Sequence, residues 1–179
     1  MVSRIVLNTI SYHGKGAIEK IPEELQTRGY KKAFVCSDPD LLKFGVTQKV
    51  TDLLDKAGFP YSVYSEIKPN PTIENVQHGV EAFKVSGADC IVTIGGGSSM
   101  DVAKAVAMLA TNPGRYEDYA GVNKVPHRCA PLVLMPTTSG TGSEVSMFSI
   151  MMVNGAKAGV CDQNITAHIA LVDPELTLT

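Results

Sequence analysis

The stretch 91–110, IVTIGGGSSMDVAKAVAMLA, constrains this chain more than any other. A short apolar run meets three glycines and then a helical pattern, so a strand hands over to a helix through a turn almost without side chains. Gly95, Gly96 and Gly97 allow positive φ and close backbone approach, and the amides of the first helical turn then face whatever sits at the strand end. That arrangement suits a phosphate group. Ser98 is expected as the N-cap, with Asp101 three residues on completing a capping box. The same turn also suits a plain strand-to-helix connection. The dinucleotide fingerprint G-x-G-x-x-G is absent, and Asp101 favours the helix dipole while competing with an anion.

At 179 residues the chain can bury roughly two-thirds or more of its unfolded surface, and one domain is the first expectation. Hydrophobic residues make up 44% and charged residues 19%, which excludes both a disordered chain and a disulfide-stapled mini-domain. Lys plus Arg number 16 against 18 for Asp plus Glu, and no dense basic run occurs, so no nucleic-acid partner is expected. The absence of Trp and a mean hydropathy of +0.06 fit an α/β domain. Cys36, Cys90, Cys129 and Cys161 lack any C-x-x-C spacing and read as buried free thiols of a reducing compartment. No signal-like segment opens the chain, and no apolar run approaches the roughly 20 residues of a membrane helix. A cytoplasmic protein with no membrane partner is expected.

Taken in order, residues 4–8 read as a strand and 11–16 as a loop. Residues 17–28 carry a helical pattern, with Pro22 either kinking it or opening its main part, and Gly29 ends it. Residues 32–36 are a strand, after which Asp38 either holds a ribose diol or caps the next helix. Residues 41–57 are helical with a break near Gly45, and 61–64 form a strand. Asn70 lies in a stiff Pro-Asn-Pro loop, where it can bind ligand or bond to its own loop backbone. Thr72 caps a helix to about residue 86, residues 90–94 form a strand, and 99–110 a helix in which Met100 and Met108 pack.

Residues 111–130 read as a polar loop with a helical turn at 116–119, and 132–135 as a strand. The small, hydroxylated segment 137–144 follows, then a strand or hairpin arm at 145–153 and another strand at 167–172. The closing ALVDPELTLT reads as a strand and a turn that begins a new element.

This alternation predicts a Rossmann-like parallel sheet with helices on both faces. Right-handed crossovers place the strand ends on one rim, with Asp38, Asn70, Gly95 to Ser98 and Thr137 to Thr141 along it, as a nucleotide site requires. Chemistry is harder to find. No paired carboxylates, Ser/His/Asp set or H-x-x-x-H stands out, and His13, His78, His127 and His168 read as surface or structural residues. Of these, His13 alone can approach the rim.

At GGGSSMDVAKA and PTTSGTGSEV, joined by VCSD at 35–38, KPNPT at 68–72 and VDPELT at 172–177, the chain resembles the N-terminal half of the iron-containing, group III alcohol dehydrogenases. Lactaldehyde reductase and 1,3-propanediol dehydrogenase belong to that class. The resemblance implies that residues 1–179 are an NAD-binding domain, followed beyond 179 by a helical catalytic domain whose one Asp and three His hold Fe2+ or Zn2+. The chain alone is then expected to be inactive, with no catalytic residue or metal ligand of its own, and to form a homo-oligomer when full length. Carried over, Gly95, Gly96, Gly97 and Ser98 meet the pyrophosphate, and Asp38 the adenosine ribose, which implies NAD rather than NADP. Asn70 lies near the cofactor, and Thr137, Thr138 and Thr141 line its adenine and pyrophosphate region. Ser143, Phe148 and Lys157 stand toward the nicotinamide. The partners implied are NAD(H) and a small alcohol, diol or aldehyde. The alternatives are a glycerol-dehydrogenase-like or dehydroquinate-synthase-like enzyme on the same scaffold, or a non-enzymatic nucleotide-binding domain.

Overall fold

The computed structural model describes residues 7–178. Through these the chain runs as β1 (Ile10–His13), α1 (Ile21–Thr27), β2 (Ala33–Cys36), α2 (Pro39–Lys43), α3 (Gln48–Lys56), β3 (Tyr61–Tyr64), α4 (Ile73–Ser86), β4 (Cys90–Gly95), α5 (Gly97–Thr111), β5 (Gly121–Val122), β6 (Leu132–Pro136), β7 (Phe148–Val153), β8 (Ala156–Cys161) and β9 (Ile169–Val172). Six strands form one parallel sheet in the order β1-β9-β6-β4-β2-β3.

The two-residue period of the strands divides the core. Phe34 and Cys36 of β2, with Leu132 and Leu134 of β6, pack under α4 and α5. Their neighbours Ala33, Val35, Val133 and Met135 face the other way, against Ile21 and Leu25 of α1 and Val50 and Leu54 of α3. The expected parallel sheet with helices on both faces is therefore present.

Several expected boundaries move. Strand 4–8 lies largely outside the described residues, and Leu7 and Asn8 are not in a strand. Residues 11–13, expected in a loop, belong to β1, which pairs with β9 from Ile10↔Ile169 to His13↔Val172. The helical pattern at 17–28 divides into a 3-10 turn, Ala17–Lys20, and α1, with Pro22 in the first turn where a missing N–H costs little.

A second, three-stranded sheet, β5-β8-β7, lies on the outer side of α5. The strand β8 carries little period-two signal, since AKAGVC has little apolar alternation. Its signal is the Asn154-Gly155 pair, both at positive φ (50° and 79°), as a two-residue hairpin turn demands. This sheet explains why α5 is buried almost all round, from Met100 to Met108. A helix covered on one side only would show a polar stripe. Met100 and Met108 are fully buried packing residues, as expected.

His168, just before β9, is structural. Its backbone N–H donates to the carbonyl of Leu132 at 2.9 Å, and its Nδ1 accepts from Leu132 N–H at 3.2 Å. Burial, reinforced by Arg128 and Arg28, lowers its pKa to about 4. The unfolded chain takes up this proton near pH 6.5, so His168 contributes stability fully above that pH and loses it as pH falls toward 4. Urea midpoints are expected to drop between pH 7 and 4.5. In His168→Asn, which keeps an acceptor but cannot take the proton, the drop is expected to be smaller, and an unchanged drop would count against this account.

Candidate functional site

The sheet order makes a crevice. From β2 the chain passes through α2 and α3 to β3 on one side, whereas from β4 it passes through α5 toward β6 on the other. The loops leaving β2 and β4 therefore part, and this is where parallel sheets hold ligands. A cleft of about 530 Å³ occupies the position. Asp38 and Leu41 wall it after β2, Ile67 and Pro69 after β3, and Thr137 and Thr138 after β6, with Gly96 and Gly97 between them.

The three glycines act differently from expectation. None of them is at positive φ, and Gly96 has φ −77°. They are needed for space. A Cβ on Gly95 would stand 2.5 Å from Ser99 Cβ, one on Gly96 would meet Thr138 Oγ1 at 3.2 Å, and one on Gly97 would touch the Thr141 methyl at 3.5 Å. Ser98 is not the N-cap. Gly96 is, with no side-chain cap bond, so α5 begins at Gly97 and its first-turn amides have no side-chain acceptor.

The expected capping box is also absent at Asp101. Its Oδ1 accepts from Ser143 Oγ at 2.7 Å and its Oδ2 from Ile150 N–H at 3.2 Å. Asp101 thus ties α5 to the loop and to β7, and burial raises its pKa against the hydrogen bond from Ser143.

Asp38 serves as the N-cap of α2, its Oδ1 accepting from Leu41 N–H at 2.9 Å. The cap occupies one carboxylate oxygen and leaves the other, so capping and ligand binding are compatible. Asn70 is held at φ +50°, and among the described residues its side chain makes no bond to its own loop. It lines a second cavity of about 150 Å³ with Ser98, Asp101, Ile150 and Lys157. Ser98 lines both cavities, so the two adjoin at the N-terminus of α5.

The structure brings together Asp38, Asn70, Gly96, Gly97, Ser98, Thr137, Thr138 and Lys157 around these cavities. Gly95 lies beneath the turn, where its carbonyl accepts from Thr137 N–H at 3.0 Å. Thr141 borders Gly97. Ser143 is buried behind the wall, and Phe148 is 48% exposed on the outer face of the small sheet. Phe148 and Lys157 share an apolar groove there with Val122 and Ile150. His13 ends β1, an edge strand three places from β4, and lines neither cavity.

Sequence reading missed Lys104. The side chain is fully buried, and its Nζ donates to Ser143 Oγ at 3.0 Å, Ser146 Oγ at 3.3 Å and the Phe148 carbonyl at 2.7 Å. Burial lowers its pKa to about 8 against the opposing pull of Asp101 and Glu144. The signal was a single cation inside the otherwise apolar helical run VAKAVAMLA at 102–110.

Among the described residues no group of three or more His, Cys, Asp or Glu side chains could hold a metal ion, so the donors needed for iron or zinc are not assembled there. Nor is any described helix long and apolar enough to cross a membrane. Cys36, Cys90 and Cys129 are buried free thiols, as expected, and Cys161 is free and half-buried.

The family model described as iron-containing alcohol dehydrogenase matches residues 8–174. Alcohol dehydrogenase 4 of Saccharomyces cerevisiae (strain YJM789) is 37% identical over 175 residues, 97% of this chain and 46% of that protein. Lactaldehyde reductase of Escherichia coli (strain K12) is 34% identical over 180 residues, 98% of this chain and 47% of that protein. The crystal structure of sulfoacetaldehyde reductase from Bifidobacterium kashiwanohense in complex with NAD+ superposes with a TM-score of 0.89 at 30% identity, covering 99% of this chain and 47% of that one. The chain spans about half the length of the curated relatives it matches.

Proposed function

The chain belongs to the iron-containing alcohol dehydrogenase family, and from that premise we propose that it is the NAD(H)-binding domain of an oxidoreductase that interconverts small primary alcohols or diols and their aldehydes. The observation that carries this reading is the pair of cavities sharing Ser98 across an uncapped helix N-terminus at the parting of β2 and β4. Gly96 and Gly97 offer the cradle that any Cβ would narrow.

In this reading the pyrophosphate lies against Gly95 to Ser98, where the first-turn amides donate to its oxygens. Asp38 accepts from the adenosine ribose diol, and Thr137, Thr138 and Thr141 border the adenine and pyrophosphate region. Asn70, Asp101 and Lys157 surround the nicotinamide half, with Ser143 and Phe148 behind it. Bound NAD supplies the hydride acceptor, and NADH the donor. The chain's own part is to bind, orient and exclude water. A helical domain carrying Fe2+ or Zn2+ on its own Asp and His ligands belongs to the same proposal and rests on family membership alone. A cytoplasmic location is supported by the four free thiols.

Calorimetric titration of the chain with NAD+, NADH and ATP tests the reading. Saturable binding of NAD+ and NADH is expected. Binding of ATP without any binding of NAD+ would sink it in favour of a non-enzymatic nucleotide domain.

A further inference from the structure

We propose that Asn154 is a site of spontaneous covalent modification, at which the Gly155 backbone nitrogen attacks the side-chain carbonyl carbon and the resulting ring opens to aspartate and isoaspartate. The sequence singles this residue out. Proline, which has no N–H, follows two of the seven asparagines, and a β-branched residue, whose two heavy atoms on Cβ crowd the nitrogen, follows three. Lys124 follows Asn123, and glycine follows Asn154 alone. The structure leaves the reacting groups free. Asn154 and Gly155 are exposed at the tip of the β7–β8 hairpin. Among the described residues the Asn154 side chain makes no hydrogen bond and the Gly155 N–H has no acceptor. Apart from its chain neighbours, nothing stands within 4 Å of where a Gly155 Cβ would be.

Ring closure needs Asn154 Cβ eclipsed with the Gly155 nitrogen, a ψ of about −120°, which is the value at the first central position of a type II′ turn. With φ of 50° and 79° at the two residues, the turn is type I′. Turning over the one peptide between them interconverts the types. Asn154 then keeps its φ, and Gly155 reverses the sign of its own, which glycine does without steric cost. Either type closes a two-residue hairpin, so the pairing of Val153 with Ala156 survives the change. Glycine is usual at the first position of type II′, so the reactive form is minor and the reaction slow. The bond from Gly155 N to Asn154 Cγ forms as the Cγ–Nδ2 bond breaks, and the N–H proton leaves with the amide as ammonia. Water then opens the ring. Attack at Cγ gives aspartate, and attack at the backbone carbonyl gives isoaspartate, with no electron gained or lost.

Isoaspartate carries the backbone through an extra methylene, which a two-residue turn cannot absorb without disturbing the pairs beside it. The second of these, Met152↔Lys157, walls the smaller cavity, and Met152 N–H also donates to the Pro71 carbonyl at 2.9 Å. Either product adds a carboxylate to a turn that borders a further cavity lined by Glu74, Arg115 and Glu117.

The test holds the folded chain at 37 °C and follows it by peptide mass and by enzymatic methylation of isoaspartate. Amide-to-acid conversion is expected at Asn154 ahead of Asn123, which has the same left-handed backbone at φ 55° but is followed by lysine. It is expected to be faster at pH 9 than at pH 7, because the N–H proton must leave, and to yield both products. Asn154→Gln, which would have to close a larger ring, is expected to stay unmodified. An intact Asn154, conversion at Asn123 just as fast, or aspartate without isoaspartate would overturn the proposal. Its consequence for binding alone rests on the NAD reading above. The modified chain is expected to lose affinity for NAD+ but not for ADP, which ends at the phosphates and leaves the smaller cavity empty. Equal NAD+ affinity before and after modification would overturn that consequence. A fresh chain that binds no NAD+ would overturn the functional proposal, and peptide mass would still decide the modification.

Discussion

Gly95→Ala is expected to lower stability by about 2–3 kcal/mol, the upper part of the range of about 1–3 kcal/mol for forcing a methyl group into a filled site. The added Cβ would stand 2.5 Å from Ser99 Cβ and 2.6 Å from Ser99 Oγ. Ser99 Oγ can turn away about its single side-chain torsion, but Ser99 Cβ is fixed to the backbone of the buried first turn of α5 and cannot. Relief therefore requires α5 to move as a body or β4 to bend away from it. Bending also strains the bond from Thr137 N–H to the Gly95 carbonyl, which fastens the next wall of the cleft. For a chain of this size the midpoint of thermal unfolding should fall by about 5–10 °C. If the first-turn amides receive the pyrophosphate, affinity for NAD+ should fall by about tenfold or more as well. The double variant Gly95→Ala/Ser99→Gly removes the clashing atoms and is expected to recover most of the packing loss, less about 1 kcal/mol for a helical glycine. A double variant no more stable than Gly95→Ala alone would refute the steric account.

Asp38→Gly separates the two duties of that residue. As an N-cap, glycine replaces aspartate at a cost of only a few tenths of a kcal/mol, so α2 should persist and the melting temperature should hardly move. As a ligand contact, the carboxylate has no substitute. Loss of hydrogen bonds from a ribose diol to a charged acceptor is expected to raise the dissociation constant of NAD+ by about 10- to 100-fold. The same change removes the charge that repels a 2′-phosphate, so NADP+ should gain on NAD+ by a similar factor. Asp40 lines the cleft too and keeps part of that repulsion. Parallel titrations with NAD+ and NADP+ measure the ratio. An unchanged ratio would mean that Asp38 is a helix cap and nothing more.

The sheet and the turn could be read from local signals because they depend on neighbours in the chain. The apolar runs at Cys90–Gly95 and Leu132–Pro136 are buried on both sheet faces, which is why they read as unbroken. The interruption near Gly45 and the cap at Thr72 are likewise local, and both fall where the sequence places them. Of the small sheet, β7 falls within the strand or hairpin arm expected at 145–153, whereas β8 has little alternation and only the Asn154-Gly155 turn marks it.

Lys104 and Asp101 were misjudged or missed for another reason. Their partners, Ser143, Ser146, Phe148 and Ile150, lie about 40 residues or more away. The missing polar stripe at 102–110 indicates that the helix is covered on both sides, but nothing in the spacing of residues 91–110 names the residues that cover it. The sequence by itself determined the parallel sheet, the rim on which the polar loops gather, and the glycine turn between β4 and α5. The tertiary structure decided that the glycines serve clearance rather than positive φ, that Gly96 rather than Ser98 caps the helix, and that the site has two cavities meeting at Ser98. These outcomes turn on atoms brought within a few ångströms from distant parts of the chain, and local pattern carries no information about such distances.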